Sequence, residues 1–401
     1  VPQQAPRRAL PLIVLAQLLG VSPWFAANAV MPELRAAYGW PAAAVGTLSS
    51  AVQLGFIAGT LVFALLALAD RFDARRVFLT CALSASACTL LAALAAGSFG
   101  TLLALRALTG FFLAGIYPVG MKIATLWFPR GLGAALGWLV GALVVGSASA
   151  HALRALATGG MALPWQAVFV AVALLCALAG VLMVLGLPRV GGAAPAPMPA
   201  AGPALRWSAL ASIWRDRKVR ASAFGYFGHM WELYTLWVLL PAIVALRIDD
   251  AVAVSWWAFA ALGVGALGCI GGGLLAARAG SARVAAAQLA VSGACCLVAP
   301  WMLQAPLPLF VAWLLVWGIT VVGDSPQFSA LTAANAPRAA VGSVLTLTNS
   351  IGFAVSALSI EVFVRAAAAS SLAQVLPWLA LGPLVGLVAL RPLWAQRGAS
   401  R

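Results

Sequence analysis

Two short stretches place ionisable side chains inside runs that are otherwise apolar. The first is GHMWELY at residues 228–234, within ASAFGYFGHMWELYTLWVLLPAIVAL. Tyr226, His229 and Glu232 are spaced by three, which on a helix groups them within roughly 120° of one face. The second is VVGDSPQF, where Asp324, Ser325 and Gln327 surround a proline that interrupts a helix and frees backbone carbonyls. An unpaired charge in an apolar setting costs several kcal/mol, so such residues are retained for a partner, a proton or a ligand. Glu232 and His229 together suit carrying a proton or gripping a charged group, with Trp231 beside them. The competing reading is a structural hydrogen bond between helices, worth roughly 1 kcal/mol, and for Asp324 it is capping of the proline kink.

A third set lies in LLALRALTGFFLAGIYPVGMKIATLW. Arg106 and Tyr117 are eleven residues apart and nearly on one face, whereas Lys122, sixteen residues on, sits about 160° round. Arg106 is the better candidate for an anionic solute, because Lys122 is near a helix end and is able to snorkel to water. Gln17, Asn28 and Asn349 are uncharged cavity-lining candidates, equally explained by hydrogen bonds between helices. The six cysteines contain no C-x-x-C, and there are only two histidines, His151 and His229, so neither a metal site nor a disulfide framework is expected. No cofactor-binding or nucleophilic cluster appears, which argues against an enzyme.

The elements that must hold these residues are membrane helices. Of 401 residues 64% are apolar and 8% charged, and mean hydropathy is +1.02. A soluble domain carries roughly a quarter charged residues, so this chain's solvent is a lipid bilayer. Twelve apolar runs, 9–32, 42–69, 77–96, 100–128, 132–157, 164–187, 219–246, 253–277, 283–303, 306–335, 339–363 and 372–392, each meet the roughly 20 residues a spanning helix needs. They lack the period-two alternation of a barrel. The fold class is therefore an all-α polytopic membrane protein. Eighteen of the 24 Lys and Arg fall on the side of the termini and the even-to-odd loops. The positive-inside rule puts that side in the cytoplasm, and the net charge of +15 reads as topology rather than nucleic-acid binding. The first run is too long for a cleaved signal peptide.

Residues 189–218, which begin Pro/Ala/Gly-rich and end basic, separate an N-terminal bundle (1–188) from a C-terminal bundle (219–401). The halves repeat at an offset of about 208. Arg71 and Arg76 fall over Arg278 and Arg283, Gly110 and Pro118 over Gly318 and Pro326, and Pro129-Arg130 over Pro337-Arg338. The loop Asp70-Arg71-Phe72-Asp73-Ala74-Arg75-Arg76 resembles the G-x-L-A-D-R-x-G-R-R loop of the major facilitator superfamily, with Leu66 and Asp73 in place of its glycines. Arg106 and Gly110 resemble its R-x-x-x-G motif. The resemblance implies two six-helix bundles rocking about a central site. It also implies a cytoplasmic gating loop formed by Asp70, Arg71, Arg75 and Arg76, echoed by Arg278 and Arg283.

The expected function is secondary active transport of a small organic solute, an organic anion by the intramembrane cation, with proton symport. The Gly-Pro pair of the superfamily's antiporter motif is missing from the fifth run, which weighs against the alternative of drug or metabolite efflux. A non-transporting sensor would lack any sizeable output domain. The expected setting is a monomer in a bacterial inner membrane, both termini cytoplasmic.

Overall fold

The computed structural model describes residues 8–128, 132–188 and 205–394, so Pro129, Arg130 and residues 189–204 of the linker lie outside the described residues. The described chain is helical, and eleven helices are long and apolar enough to cross a membrane. A twelfth crossing is built from shorter pieces. Span 1 comprises Ala9–Gly20, Ala26–Ala29 and Met31–Tyr38; spans 2 and 3 are Ala44–Leu65 and Ala74–Leu94. Span 4 is split into Phe99–Leu113 and Tyr117–Trp127, followed by span 5 (Leu132–Gly159) and span 6 (Gln166–Gly186). After a short helix, Ala209–Arg215, come span 7 (Arg217–Ala245), span 8 (Ala251–Gly263, Gly265–Ala279) and span 9 (Ser281–Met302). Span 10 is split into Leu307–Gly323 and Ser325–Asn335, and span 11 is Val341–Ala369. Span 12 runs from Leu372–Val375 through a 3₁₀ turn to Leu381–Trp394.

Span 1 differs from the single helix expected over 9–32. Pro23 has no amide to continue the ladder, and the chain passes through tight turns in which Trp24 N donates to Val21 O and Ala26 N to Pro23 O. Ser22 Oγ ties the break to Leu19 O at 2.8 Å and to Val172 O of span 6 at 3.1 Å. The helix then resumes and ends beyond the expected boundary, at Tyr38. The splits in spans 4 and 10 fall just before Pro118 and Pro326, where the repeat places them.

The repeat is also visible in how the helices touch. A Cβ on Gly110 of span 4 would come within 1.9 Å of Val52 O in span 2, and one on Gly318 of span 10 within 2.0 Å of Ala261 O in span 8. Gly59 approaches Phe111 O, and Gly268 approaches Ile319 O, in the same way. These backbones are closer than any side chain permits, the usual means of association where lipid supplies no hydrophobic drive. The halves meet through spans 2 and 11 and through spans 5 and 8. Leu94, Leu185, Leu274 and Val388 stand exposed on the outer surface, as a lipid solvent favours.

Candidate functional site

Span 7 carries more of the candidates than any other span, and its residues diverge. His229 points to span 10: its Nδ1 lies 2.8 Å from Asp324 Oδ1, with both side chains almost fully buried. The distance is that of an ion pair, but the N–H does not line up as a hydrogen bond, and Nε2 and Oδ2 have no partner among the described residues. Asp324 occupies the break between the two halves of span 10. Tyr226 and Phe328 flank the imidazole at centroid distances of 5.8 and 5.7 Å. Tyr226 itself lies on Gly352 of span 11, where a Cβ would fall 2.3 Å from its ring.

Glu232 faces elsewhere, so the pairing of His229 with Glu232 suggested by the three-residue spacing does not form. Its Oε1 accepts from Trp317 Nε1 at 2.6 Å, from Cys296 Sγ at 3.2 Å and, closely, from Ser292 Oγ. Three donors from spans 9 and 10 thus hold this carboxylate within the C-terminal half. The i, i+3 spacing fixed only a 120° sector, wide enough for two different neighbours. Trp231 also turns away from the other half, packing edge-on to Phe363 at 5.5 Å and against Gly382 of span 12.

Where the halves meet, aromatic rings interlock. Trp24 of span 1 stacks on Tyr234 of span 7 (5.8 Å, 21°), Phe25 meets Trp237 edge-on at 5.8 Å, and Phe56 of span 2 contacts Phe353 of span 11 at 4.7 Å. Tyr117, at the start of the second half of span 4, is half-buried. Span 7 touches span 2, and the second half of span 10 touches span 5, so the His229–Asp324 pair borders the interface between the halves, with aromatic surface beside it.

The cations read as solute ligands are already engaged. Arg106 is fully buried, and its Nη2 donates to Pro23 O at 2.9 Å and Trp24 O at 2.6 Å. It therefore satisfies the carbonyls freed by the break in span 1, while Nε and Nη1 have no partner among the described residues. Lys122 Nζ bonds the carboxylate of Asp70 and the carbonyl of Ala69, which ties span 4 to the 2–3 loop. In that loop Asp73 caps span 3 by accepting from Arg75 N at 3.0 Å and pairs with Arg75 at 2.7 Å, while Arg75 also donates to Leu187 O. The loop is thus tied to spans 4 and 6 of its own half. Arg71, Arg76, Arg278 and Arg283 are exposed and make no ion pair with described residues.

Among the amides, Asn28 exchanges hydrogen bonds with Ser49 of span 2 at 2.9 and 3.2 Å. Gln17 is buried against Gly120 with both polar atoms unpartnered among the described residues. Gln327 is buried one turn after Asp324, and Asn349 is half-buried on span 11.

One functional group escaped the sequence reading. Arg154, near the end of the fifth apolar run and not among the candidates named from the sequence, is a buried residue of span 5. Its Nε and Nη2 each lie 2.8 Å from Glu33 Oε1 at the end of span 1, and its Nη1 donates to Ser255 Oγ of span 8 at 2.9 Å. With Ser50 Oγ donating to Ala357 O at 3.2 Å, this makes both side-chain hydrogen bonds that cross the halves among the described residues. Both lie in the half of the bundle away from the basic loops. The signal available was an arginine in SASAHALRALA that helical periodicity continues past.

The sequence matches the Major Facilitator Superfamily over residues 13–360. No curated protein matches it significantly. Among solved structures, a bacterial homologue of the human lysosomal transporter Spinster, in an inward-facing and unoccupied conformation, is similar with a TM-score of 0.72 at 16% identity, covering 98% of each chain. The human organic anion transporter MFSD10 (TETRAN) is similar with a TM-score of 0.72 at 17% identity, covering 96% of this chain and 99% of that one. At such identities the likeness is one of fold, whereas the sequence match spans most of the chain: this protein belongs to the Major Facilitator Superfamily, a family of membrane transporters.

Proposed function

We propose that the protein imports a small organic anion together with protons by alternating access, and that His229 and Asp324 form the coupling site. The observation that carries this reading is their buried 2.8 Å contact at the break of span 10, beside the interface of the halves, with polar atoms left over on both residues. A proton delivered to Asp324 removes the partner of an imidazolium at His229, which is then free to hold a carboxylate. The proton and the monoanion enter together, so the buried charge stays constant and the desolvation penalty of a lone charge is avoided. The positive charge for the solute thus comes from His229 rather than from Arg106 or Lys122. The rings of Trp24, Tyr234 and Phe353 offer an apolar or aromatic solute body a surface to pack on. The similar fold of a protein described as an organic anion transporter supports the same solute class.

With the basic loops in the cytoplasm of a bacterial inner membrane, the cross-half hydrogen bonds lie on the periplasmic side. This conformation is then closed outward. The test is transport of labelled carboxylates in proteoliposomes. Asp324→Asn is expected to abolish accumulation driven by a pH gradient while counterflow exchange persists. Glu232→Gln is expected to keep coupled accumulation and to lower the melting temperature, because the carboxyl oxygen that accepts from three donors is replaced by an amide. Undiminished pH-driven accumulation in Asp324→Asn would remove the pair from coupling, and its loss in Glu232→Gln would return that role to Glu232.

A further inference from the structure

The segment that leads into span 7 is more ordered and more one-sided than a tether requires. The helix Ala209–Arg215 buries Ala209 and Ile213, one turn apart, against spans 7 and 11. The Arg206 amide donates to Ser343 Oγ of span 11 at 2.9 Å, and Arg220 Nη1 donates to Trp214 O at 2.9 Å. Trp214 is also braced edge-on by Phe224 at 5.3 Å. The segment is therefore fixed to the C-terminal half.

Its outer surface carries Arg206, Arg215, Arg217, Lys218 and Arg220, all exposed, and none of the five forms an ion pair with a described residue. The single acid in the stretch, Asp216, is occupied as the N-cap of span 7, accepting from the Lys218 and Val219 amides. Trp207 and Trp214 are each about half exposed among these cations. Span 7 begins at Arg217, so this surface sits where the hydrocarbon core must give way to headgroups. Indole rings favour that layer, and a basic cluster within a Debye length of it is drawn to anionic lipid.

We propose that residues 205–220 dock on the anionic headgroup surface of the bilayer, with Trp207 and Trp214 seated at headgroup depth and the five cations over lipid phosphates. Because the segment is pinned to spans 7 and 11, the docking fixes the C-terminal half to the membrane plane and leaves the N-terminal half to move against it. Two-residue complementarity is not involved: the recognition is of surface charge, so it responds to lipid composition and salt.

The test is hydrogen exchange of residues 205–216 in the full-length protein in nanodiscs. Discs of phosphatidylcholine alone are compared with discs of equal parts phosphatidylcholine and phosphatidylglycerol. Anionic lipid is expected to slow exchange about tenfold. The triple variant Arg206→Gln, Arg215→Gln, Lys218→Gln is expected to lose that slowing, whereas Arg71→Gln, Arg278→Gln, Arg391→Gln, which removes as many exposed cations elsewhere, retains it. Equal exchange of the wild-type protein in the two kinds of disc overturns the proposal without recourse to any variant. It is also overturned if the first triple variant is slowed as much as wild type, or if soluble glycerol phosphate added to phosphatidylcholine discs produces the same slowing.

Discussion

Ser255→Ala isolates the energetic link between the halves. Arg154 keeps both of its contacts to Glu33, so no charge is stranded; the bond across the interface is lost together with the hydroxyl's bond to Ala251 O within its own helix. A hydrogen bond from a charged donor is worth about 1.5–3 kcal/mol. Since 1.4 kcal/mol is tenfold in an equilibrium, the ratio of the form open at this end to the closed form should rise about ten- to a hundredfold. Retained Arg154–Glu33 contacts and the parallel Ser50–Ala357 bond leave the rest of the interface in place, which favours the lower figure. Spin labels on Ala42→Cys and Ala368→Cys, both exposed where spans 2 and 11 end, report the separation by pulsed electron resonance. The long-distance population should grow in Ser255→Ala at unchanged thermal stability of the whole protein. A ratio within about twofold of wild type would mean that the bond carries no net free energy for closure, and the interface would then rest on packing alone.

Arg106→Ala should leave Trp24 O without its donor and Pro23 O with the Ala26 amide alone, and lower the melting temperature by the equivalent of about 2–3 kcal/mol. Ligand-induced thermal shifts should fall equally for charged and neutral solutes; a loss confined to anions would restore Arg106 as a solute ligand. Gly110→Ala and Gly318→Ala should each cost more than a typical surface change in detergent melting assays, because a Cβ would lie within 1.9 or 2.0 Å of a carbonyl oxygen of the adjacent span. Gly271→Ala, with open space around it, is the matched control and should be neutral or mildly stabilising.

Hydropathy made the twelve crossings legible because lipid exposure constrains every helix for its whole length. The internal offset likewise foretold the paired breaks before Pro118 and Pro326, since a proline acts locally on its own helix. Side-chain partners were less legible. Tyr226, His229 and Glu232 share a sector, but a helix in a bundle has neighbours on several sides, and a rotation of one residue carries a side chain from one neighbour to the next. Arg154 was hidden for a related reason: a charged residue near a span end looks the same whether it reaches water or a carboxylate on another helix. Span 1 looked continuous because its break, Ser22-Pro23, lies within an apolar run and is stabilised by Arg106, which is distant in sequence.

The duplicated design gives the two halves different polar interiors at matching places. Cys88 and Cys296 are 208 residues apart; the first is within electrostatic range of Arg106 and the second donates to Glu232. Trp24, whose carbonyl Arg106 holds, matches Glu232 at the same offset. One half therefore buries an arginine against backbone carbonyls at a broken helix, and the other buries a carboxyl group against side-chain donors around a continuous one. Each group is held by contacts inside its own half, so these contacts add nothing to the attraction of the halves for one another. The polar and ring contacts that cross, Arg154 to Ser255, Ser50 to Ala357 and those of Trp24 and Phe56, add to the packing of span 2 on span 11 and of span 5 on span 8. The alternating access proposed above needs this closure to be reversible, because a solute or a proton can shift such an equilibrium only when the closing contacts are worth no more than its own differential binding.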